Sequence, residues 1–77
     1  MTRQQLISHA IAVLQVRQMG GSARFVTPHN TQCLCWTRAM NAGLLKMRKI
    51  EQELQFKLTA TGLNLSNELI ASASEAL

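Results

Sequence analysis

The sequence predicts an α+β domain, with helices at both ends and a central helix followed by a two-stranded β-hairpin. Three observations predict it. Apolar residues recur at helical spacing before Gln18 and after Thr61. Leu54, Phe56 and Leu58 alternate with Gln55, Lys57 and Thr59, the period of a strand with one buried side. Gly43 suits the left-handed position just past a helix end, where the chain must stop turning before the strand pattern begins. The chain has 77 residues, and a domain of this size buries only about 60–65% of its unfolded surface. Residues 1–77 are therefore expected to form one domain. Trp36, Phe25 and Phe56 are its aromatic side chains, so the core must be mostly aliphatic.

In the first helix, Thr2 is the expected cap and Gly20-Gly21 the stop. Between them Leu6, Ile7, Ala10, Ile11 and Leu14 form an apolar stripe, widened by Val13 and Val16. So wide a face implies packing on two sides. His9 falls near the polar side and is expected in solvent. Two readings are open for the segment that follows: an abbreviated helical turn over 22–26, or a strand over 23–26 edging the hairpin. Thr27-Pro28 then looks like a helix start, with Thr27 as cap and Pro28 at the first helical position, where its missing N–H costs nothing. The expected central helix runs from residue 28 to about Ala42, with Cys33, Trp36, Met40 and Leu44 inward. Thr31, Cys35 and Arg38 face outward, and Gln32 lies at the border.

Beyond Gly43, Leu45 and Met47 alternate with Lys46 and Arg48, and a turn is expected near Glu51–Glu53. A last helix restarts near Thr59–Gly62 and runs to Leu77. One stripe on it is Leu65, Leu69, Ala73 and Ala76; a second is Leu63, Ile70 and Leu77. Two stripes suggest that one packs inward and the other meets a partner, so Leu63, Leu69, Ile70 and Leu77 are the expected dimer contacts.

From Met40 to Leu65 the chain therefore carries a helix end, an Ala-Gly-Leu break, a basic hairpin and a Leu-Thr-x-x-Gly-x-x-Leu restart. This order and spacing resembles the C-terminal half of winged helix-turn-helix regulators of the MarR, ArsR and PadR kind. The resemblance implies a small winged-helix domain in which the helix from residue 28 to 42 enters the major groove. The hairpin would be a wing lying along phosphates or dipping into the minor groove, and the terminal helices would pair subunits around a twofold axis. It departs from the pattern at Gly20–Val26, where a second helix is customary and Gly-Gly-Ser makes a poor start. The customary inward residues also fall one position away from the stripe above in places. Arg38 is the outward residue on which both registers agree.

Charge supports the same expectation. Arg3, Arg17, Arg24, Arg38, Lys46, Arg48 and Lys49 give residues 1–50 a charge of +7, unopposed by any carboxylate. Lys57 against Glu51, Glu53, Glu68 and Glu75 gives the rest −3, for a net +4. Such a surface attracts a polyanion. Double-stranded DNA is the expected partner, met by Arg24, Asn30, Thr31, Gln32, Arg38, Lys46, Arg48, Lys49 and Lys57. The function expected is that of a dimeric transcriptional regulator. Glu51 and Glu53 are out of place beside phosphates. They motivate the alternative: a non-enzymatic modulator of phage, plasmid or other mobile-element type that binds and inhibits a host or regulatory protein.

Other chemistry is not expected. The chain has no Asp, no glycine-rich phosphate loop, and no credible Ser-His-Asp or Cys-His set. Cys33 and Cys35 are two apart on a predicted helix, which turns their side chains away from each other and disfavours a disulfide or a shared metal. Cys33 is expected as a small buried hydrophobe and Cys35 as an incidental thiol. No enzyme activity, metal or cofactor is expected. No apolar run reaches the roughly 18 residues of a membrane span, so a soluble, cytoplasmic protein is expected.

Overall fold

The computed structural model describes the backbone of residues 2–75 and the side chains of residues 2–73. In chain order these form α1 (Arg3–Gln18), α2 (Leu34–Asn41), β1 (Leu45–Ile50), β2 (Glu53–Leu58) and α3 (Ala60–Glu75). This is a small α+β domain of three helices and one antiparallel hairpin, as the hydrophobic periods require. Among the described residues no helix is long and apolar enough to cross a membrane.

A capping box starts α1. The Thr2 hydroxyl accepts from the Gln5 N–H at 3.2 Å, and the Thr2 N–H donates to Gln5 Oε1 at 2.9 Å. It ends in a Schellman turn at Gly20, whose φ is +76. The Gly20 N–H donates to the Arg17 carbonyl and the Gly21 N–H to that of Val16. The buried face is not the one expected. His9, Ala12, Val13 and Val16 point inward, whereas Leu6, Ile7 and Ile11 are 51%, 52% and 46% exposed. Two apolar stripes overlap on this helix, and periodicity cannot choose between them. Packing against α2 and α3 selects the stripe of small and β-branched residues, which lets neighbouring elements come close.

Gly21 is buried, and a Cβ there would lie 2.8 Å from Val26 Cγ1 and 2.9 Å from Val16 Cγ1. Its bare backbone lets the chain fold back over the end of α1. Val26 then bridges Phe56, each N–H donating to the other's carbonyl at 2.8 Å. Of the two readings for this segment, the strand edging the hairpin is realised, shortened to a single bridged residue.

The central helix starts later than the sequence suggests. Thr27-Pro28 is not its beginning: α2 opens at Leu34, capped by Cys33, whose Sγ accepts from the Cys35 N–H at 3.3 Å. Asn30, Thr31 and Gln32 consequently lie in a loop, where Asn30 Oδ1 accepts from the Gln32 N–H. The reason is tertiary. Val26 is held in the sheet, and the Asn30 carbonyl accepts the Trp36 indole N–H at 2.7 Å. A helix begun at Pro28 would turn that carbonyl into its own ladder and leave the buried indole unpaired. Of the expected inward set Trp36 and Leu44 are buried and Met40 is half-buried, but Cys35 and Ala39 complete the buried face in place of Cys33. The expectation for the cysteines is therefore reversed: Cys33 is exposed and Cys35 buried. Burial pushes the Cys35 thiol up to about 11, well away from reactive thiolate behaviour.

A second Schellman turn closes α2 at Gly43, φ +77, with the Gly43 N–H on the Met40 carbonyl and the Leu44 N–H on that of Ala39. The hairpin pairs Leu45 with Leu58 through Ile50 with Glu53, around a turn at Glu51-Gln52. Phe56 and Leu58 face inward as expected, and Phe56 stacks on Trp36 with ring centroids 4.8 Å apart. These two rings anchor a core otherwise made of small and aliphatic side chains, including Ala12, Val13, Val16, Ala39, Leu44 and Leu45.

The Leu-Thr-x-x-Gly restart also has a concrete role. The Thr59 hydroxyl accepts from the Gly62 N–H at 3.1 Å, capping α3, and donates to the Gly43 carbonyl at 2.6 Å. The Thr59 N–H donates to the Leu44 carbonyl at 3.1 Å. A Cβ on Gly62 would overlap that same carbonyl. One threonine and one glycine thus fasten the end of α2 to the start of α3. On α3 the buried line is Gly62 and Ser66, with Leu63, Leu65 and Leu69 half-buried on either side and Ile70 43% exposed. Neither predicted stripe is wholly inside or outside. Ala76 and Leu77 lie outside the described residues.

Candidate nucleic-acid interface

The alternation of the hairpin sorts its cations. Lys46 pairs with Lys57 and Arg48 with Gln55, so Lys46, Arg48 and Lys57 share the face opposite the core. Lys49 is on the other face, with Met47 and Leu54. Arg48 is braced: its Nε donates to Gln55 Oε1 at 2.7 Å, and its guanidinium lies 4.1 Å from the centroid of the Phe25 ring. Lys57 Nζ lies 5.8 Å from the same centroid. The basic face is thus built around a half-buried aromatic ring that the sequence reading did not single out. A signal for it existed, because once Val26 points inward its neighbour Phe25 must point outward.

Placing Lys46 directly opposite Lys57 is unfavourable, by roughly 0.2–1 kcal/mol on the scale of cross-strand pairs. Their neighbours on this face are Arg48, Gln55 and Phe25, none of which can neutralise them. An oxyanion bound across the pair would relieve the repulsion.

The other residues expected at the interface are dispersed. Arg24 is exposed and reaches over Gly20. Asn30 and Gln32 are exposed in the loop before α2, and Thr31 is half-buried there. Leu34, Thr37 and Asn41 form the solvent side of α2, and Arg38 is half-buried at its edge, turned toward α1. At the turn, Glu51 adopts a φ of +57 and stands exposed with Glu53. Among the expected dimer contacts, Ile70 is open to solvent, Leu63 and Leu69 are half-covered, and Leu77 is outside the described residues.

His9 is the unforeseen polar residue. It is only 5% exposed, and neither ring nitrogen has a hydrogen-bond partner. Burial and, secondarily, the nearby Arg38 guanidinium hold its imidazole below the ordinary value of 6.5. As pH falls through 6.5 the unfolded chain takes up this proton before the folded one. The stability associated with neutral His9 is complete above that value and is lost as pH drops through the folded one. Urea denaturation from neutral to mildly acidic pH should show wild type weakening, with a shallower decline in His9→Met. An equally steep decline in the variant would assign the pH dependence elsewhere.

Among the described residues no three His, Cys, Asp or Glu side chains gather as a metal cluster does. No protein-family model, curated protein or solved structure matches the chain.

Proposed function

We propose that the chain is a small winged-helix DNA-binding regulator that grips the duplex through the outer face of its hairpin and works as a homodimer. The observation that carries this reading is the set of Lys46, Arg48 and Lys57 on one sheet face, with Glu53 of the same face standing at the tip, past Gln55. The order α1, bridged Val26, α2, hairpin, α3 supports a winged-helix reading, with a loop at 27–33 in place of a second helix. In this reading α2 offers Thr37, Asn41 and the half-exposed Arg38 to base edges, and Asn30 and Gln32 approach from the preceding loop. The cations on the hairpin supply affinity that is independent of sequence.

A gel shift on random duplex DNA at low and moderate salt tests the reading. Lys46, Arg48 and Lys57 changed together to Gln should weaken binding to all sequences and flatten the salt dependence, by about 0.9 in log–log slope for each phosphate left without its cation. Lys49→Gln, on the opposite face, should change little. Equal affinity of triple variant and wild type would remove the hairpin from the interface.

The homodimer rests on apolar side chains left in solvent on packed neighbours: Leu6, Ile7 and Ile11 on α1 and Ile70 on α3. Ile7→Glu and Ile70→Glu touch no buried position, so both variants should fold as wild type does. Each should weaken association at least tenfold in sedimentation by placing a charge in an apolar contact. A wild type that sediments as a monomer at high micromolar concentration contradicts this.

A second reading, a modulator that binds another protein, is favoured by the far end of the hairpin. There Ile50 is exposed beside Glu51 and Glu53. An apolar and acidic tip is poorly suited to phosphate and well suited to a protein. Failure of the wild type to shift DNA at low salt would leave this reading standing.

A further inference from the structure

The basic face of the hairpin has a built centre. Val26 is bridged to Phe56 and faces the core, which sends the neighbouring Phe25 ring to the opposite side of the sheet, beside Arg48 and Lys57. The Arg48 guanidinium lies 4.1 Å from the ring centroid, while its Nε donates to Gln55 Oε1 at 2.7 Å. Phe25 and Gln55 are half-buried, whereas Arg48 is exposed. An exposed arginine ordinarily samples many rotamers, and ordering it on binding costs free energy. Here a ring and a side-chain amide already hold it in the free protein. Of the five N–H donors of a guanidinium one is used on Gln55, and the four on Nη1 and Nη2 have no partner among the described residues. That end-on fork matches two oxygens of a phosphate.

We propose that Phe25 is a positioning residue of this interface: its ring, with the Gln55 amide, fixes the Arg48 guanidinium so that the Nη fork clamps one backbone phosphate. The inference rests on the DNA-binding reading and adds to it a division of labour. Arg48 makes a directed, bidentate contact. Lys46 and Lys57, paired across the strands, carry ammonium groups without a fork and act as point charges. Lys57 Nζ, 5.8 Å from the Phe25 centroid, is near the outer limit of cation–π range and gains less from the ring than Arg48 does. A phosphate contact carries no base information, so Phe25 acts on every duplex alike.

The test begins with the full 15N-labelled chain in the absence of DNA. Phe25→Leu keeps apolar bulk but removes the ring; it should shift the Arg48 Nε–H signal and speed its exchange with water while the backbone amide spectrum stays folded. Binding to a random-sequence duplex is then measured across a salt series. Phe25→Leu should weaken it about fivefold, the cost of ordering one long side chain, with the salt slope unchanged because every cation remains. Phe25→Tyr should bind as wild type does. Arg48→Lys should lose about as much as Phe25→Leu although it keeps the charge, since an ammonium offers no fork. In an Arg48→Gln background, where the slope falls by about 0.9, Phe25→Leu should add less than about twofold. A merely structural role for the ring would not produce that coupling. The proposal is overturned if Phe25→Leu leaves either the Arg48 Nε–H signal or the affinity unchanged, if Arg48→Lys binds like wild type, or if the full loss recurs without Arg48. A wild type that shifts no duplex at low salt takes the DNA reading down together with this one, whereas duplex binding that ignores Phe25 overturns this inference alone.

Discussion

Trp36→Ala is expected to cost about 4 kcal/mol, the typical loss when a buried tryptophan is truncated. At the usual stability per residue, a chain this short holds about 4–12 kcal/mol in total, so the variant should lose from about a third to all of it. The effect is large because one side chain joins three parts of the molecule. Its ring stacks on Phe56 of the hairpin, its indole N–H holds the loop carbonyl of Asn30, and its backbone belongs to the short helix α2. Trp36→Phe separates the contributions. It keeps an aromatic ring against Phe56 but leaves the Asn30 carbonyl unpaired, and should cost about 1–3 kcal/mol. Urea denaturation followed by circular dichroism is the appropriate measurement, because Trp36 is the chain's only tryptophan and its fluorescence disappears with it. If Trp36→Ala unfolded within about 1 kcal/mol of wild type, the stacked pair would not be the centre of the core.

Gly62→Ala is the second large effect, and it reverses a general preference. Alanine in a helix is ordinarily favoured over glycine by about 0.5–1 kcal/mol. Here the added methyl would overlap the Leu44 carbonyl. That carbonyl cannot simply withdraw, since it accepts the Thr59 N–H at 3.1 Å beside the Thr59 hydroxyl's bond to Gly43. Relief requires α3 to lift from the end of α2, and about 3 kcal/mol of destabilisation is expected, the upper range of overpacking costs. Tryptophan fluorescence can follow unfolding in this variant. Gly43→Ala provides the contrast. It has nothing within 4 Å of its would-be Cβ, so its cost is that of a left-handed backbone alone, roughly 1–2 kcal/mol. A Gly62→Ala protein as stable as wild type would mean that this junction is looser than its geometry implies.

The local elements were largely legible in the residues themselves. Thr2 as a cap, the glycines at 20 and 43, the alternation of Leu54, Phe56 and Leu58, and the restart at Thr59–Gly62 each act over a few residues through caps, turns and pleat. Their order along the chain was enough to indicate three helices and a hairpin. The basic hairpin face was legible for the same reason, since strand alternation assigned Lys46 and Arg48 to the polar side before any packing was considered.

Tertiary structure decided what short-range signals leave degenerate. Two apolar stripes on α1 score alike by period. Only contact with α2 and α3 turns Val13 and Val16 inward, buries His9 and leaves Leu6, Ile7 and Ile11 in solvent. Thr27-Pro28 is a sound local helix start, but the bridge from Val26 to Phe56 and the bond from the Trp36 indole to Asn30 favour a later one. These are contacts across the fold, invisible to a window of neighbouring residues. They move Asn30, Thr31 and Gln32 off the helix, exchange the environments of Cys33 and Cys35, and bring Phe25 beside Arg48. They also set Arg38 next to His9, residues 29 positions apart in sequence whose meeting depends wholly on how α2 lies against α1. What a residue does within its own turn of chain was written in the sequence; which face of each helix is covered was decided by shape, once all the elements had to fit around Trp36 and Phe56.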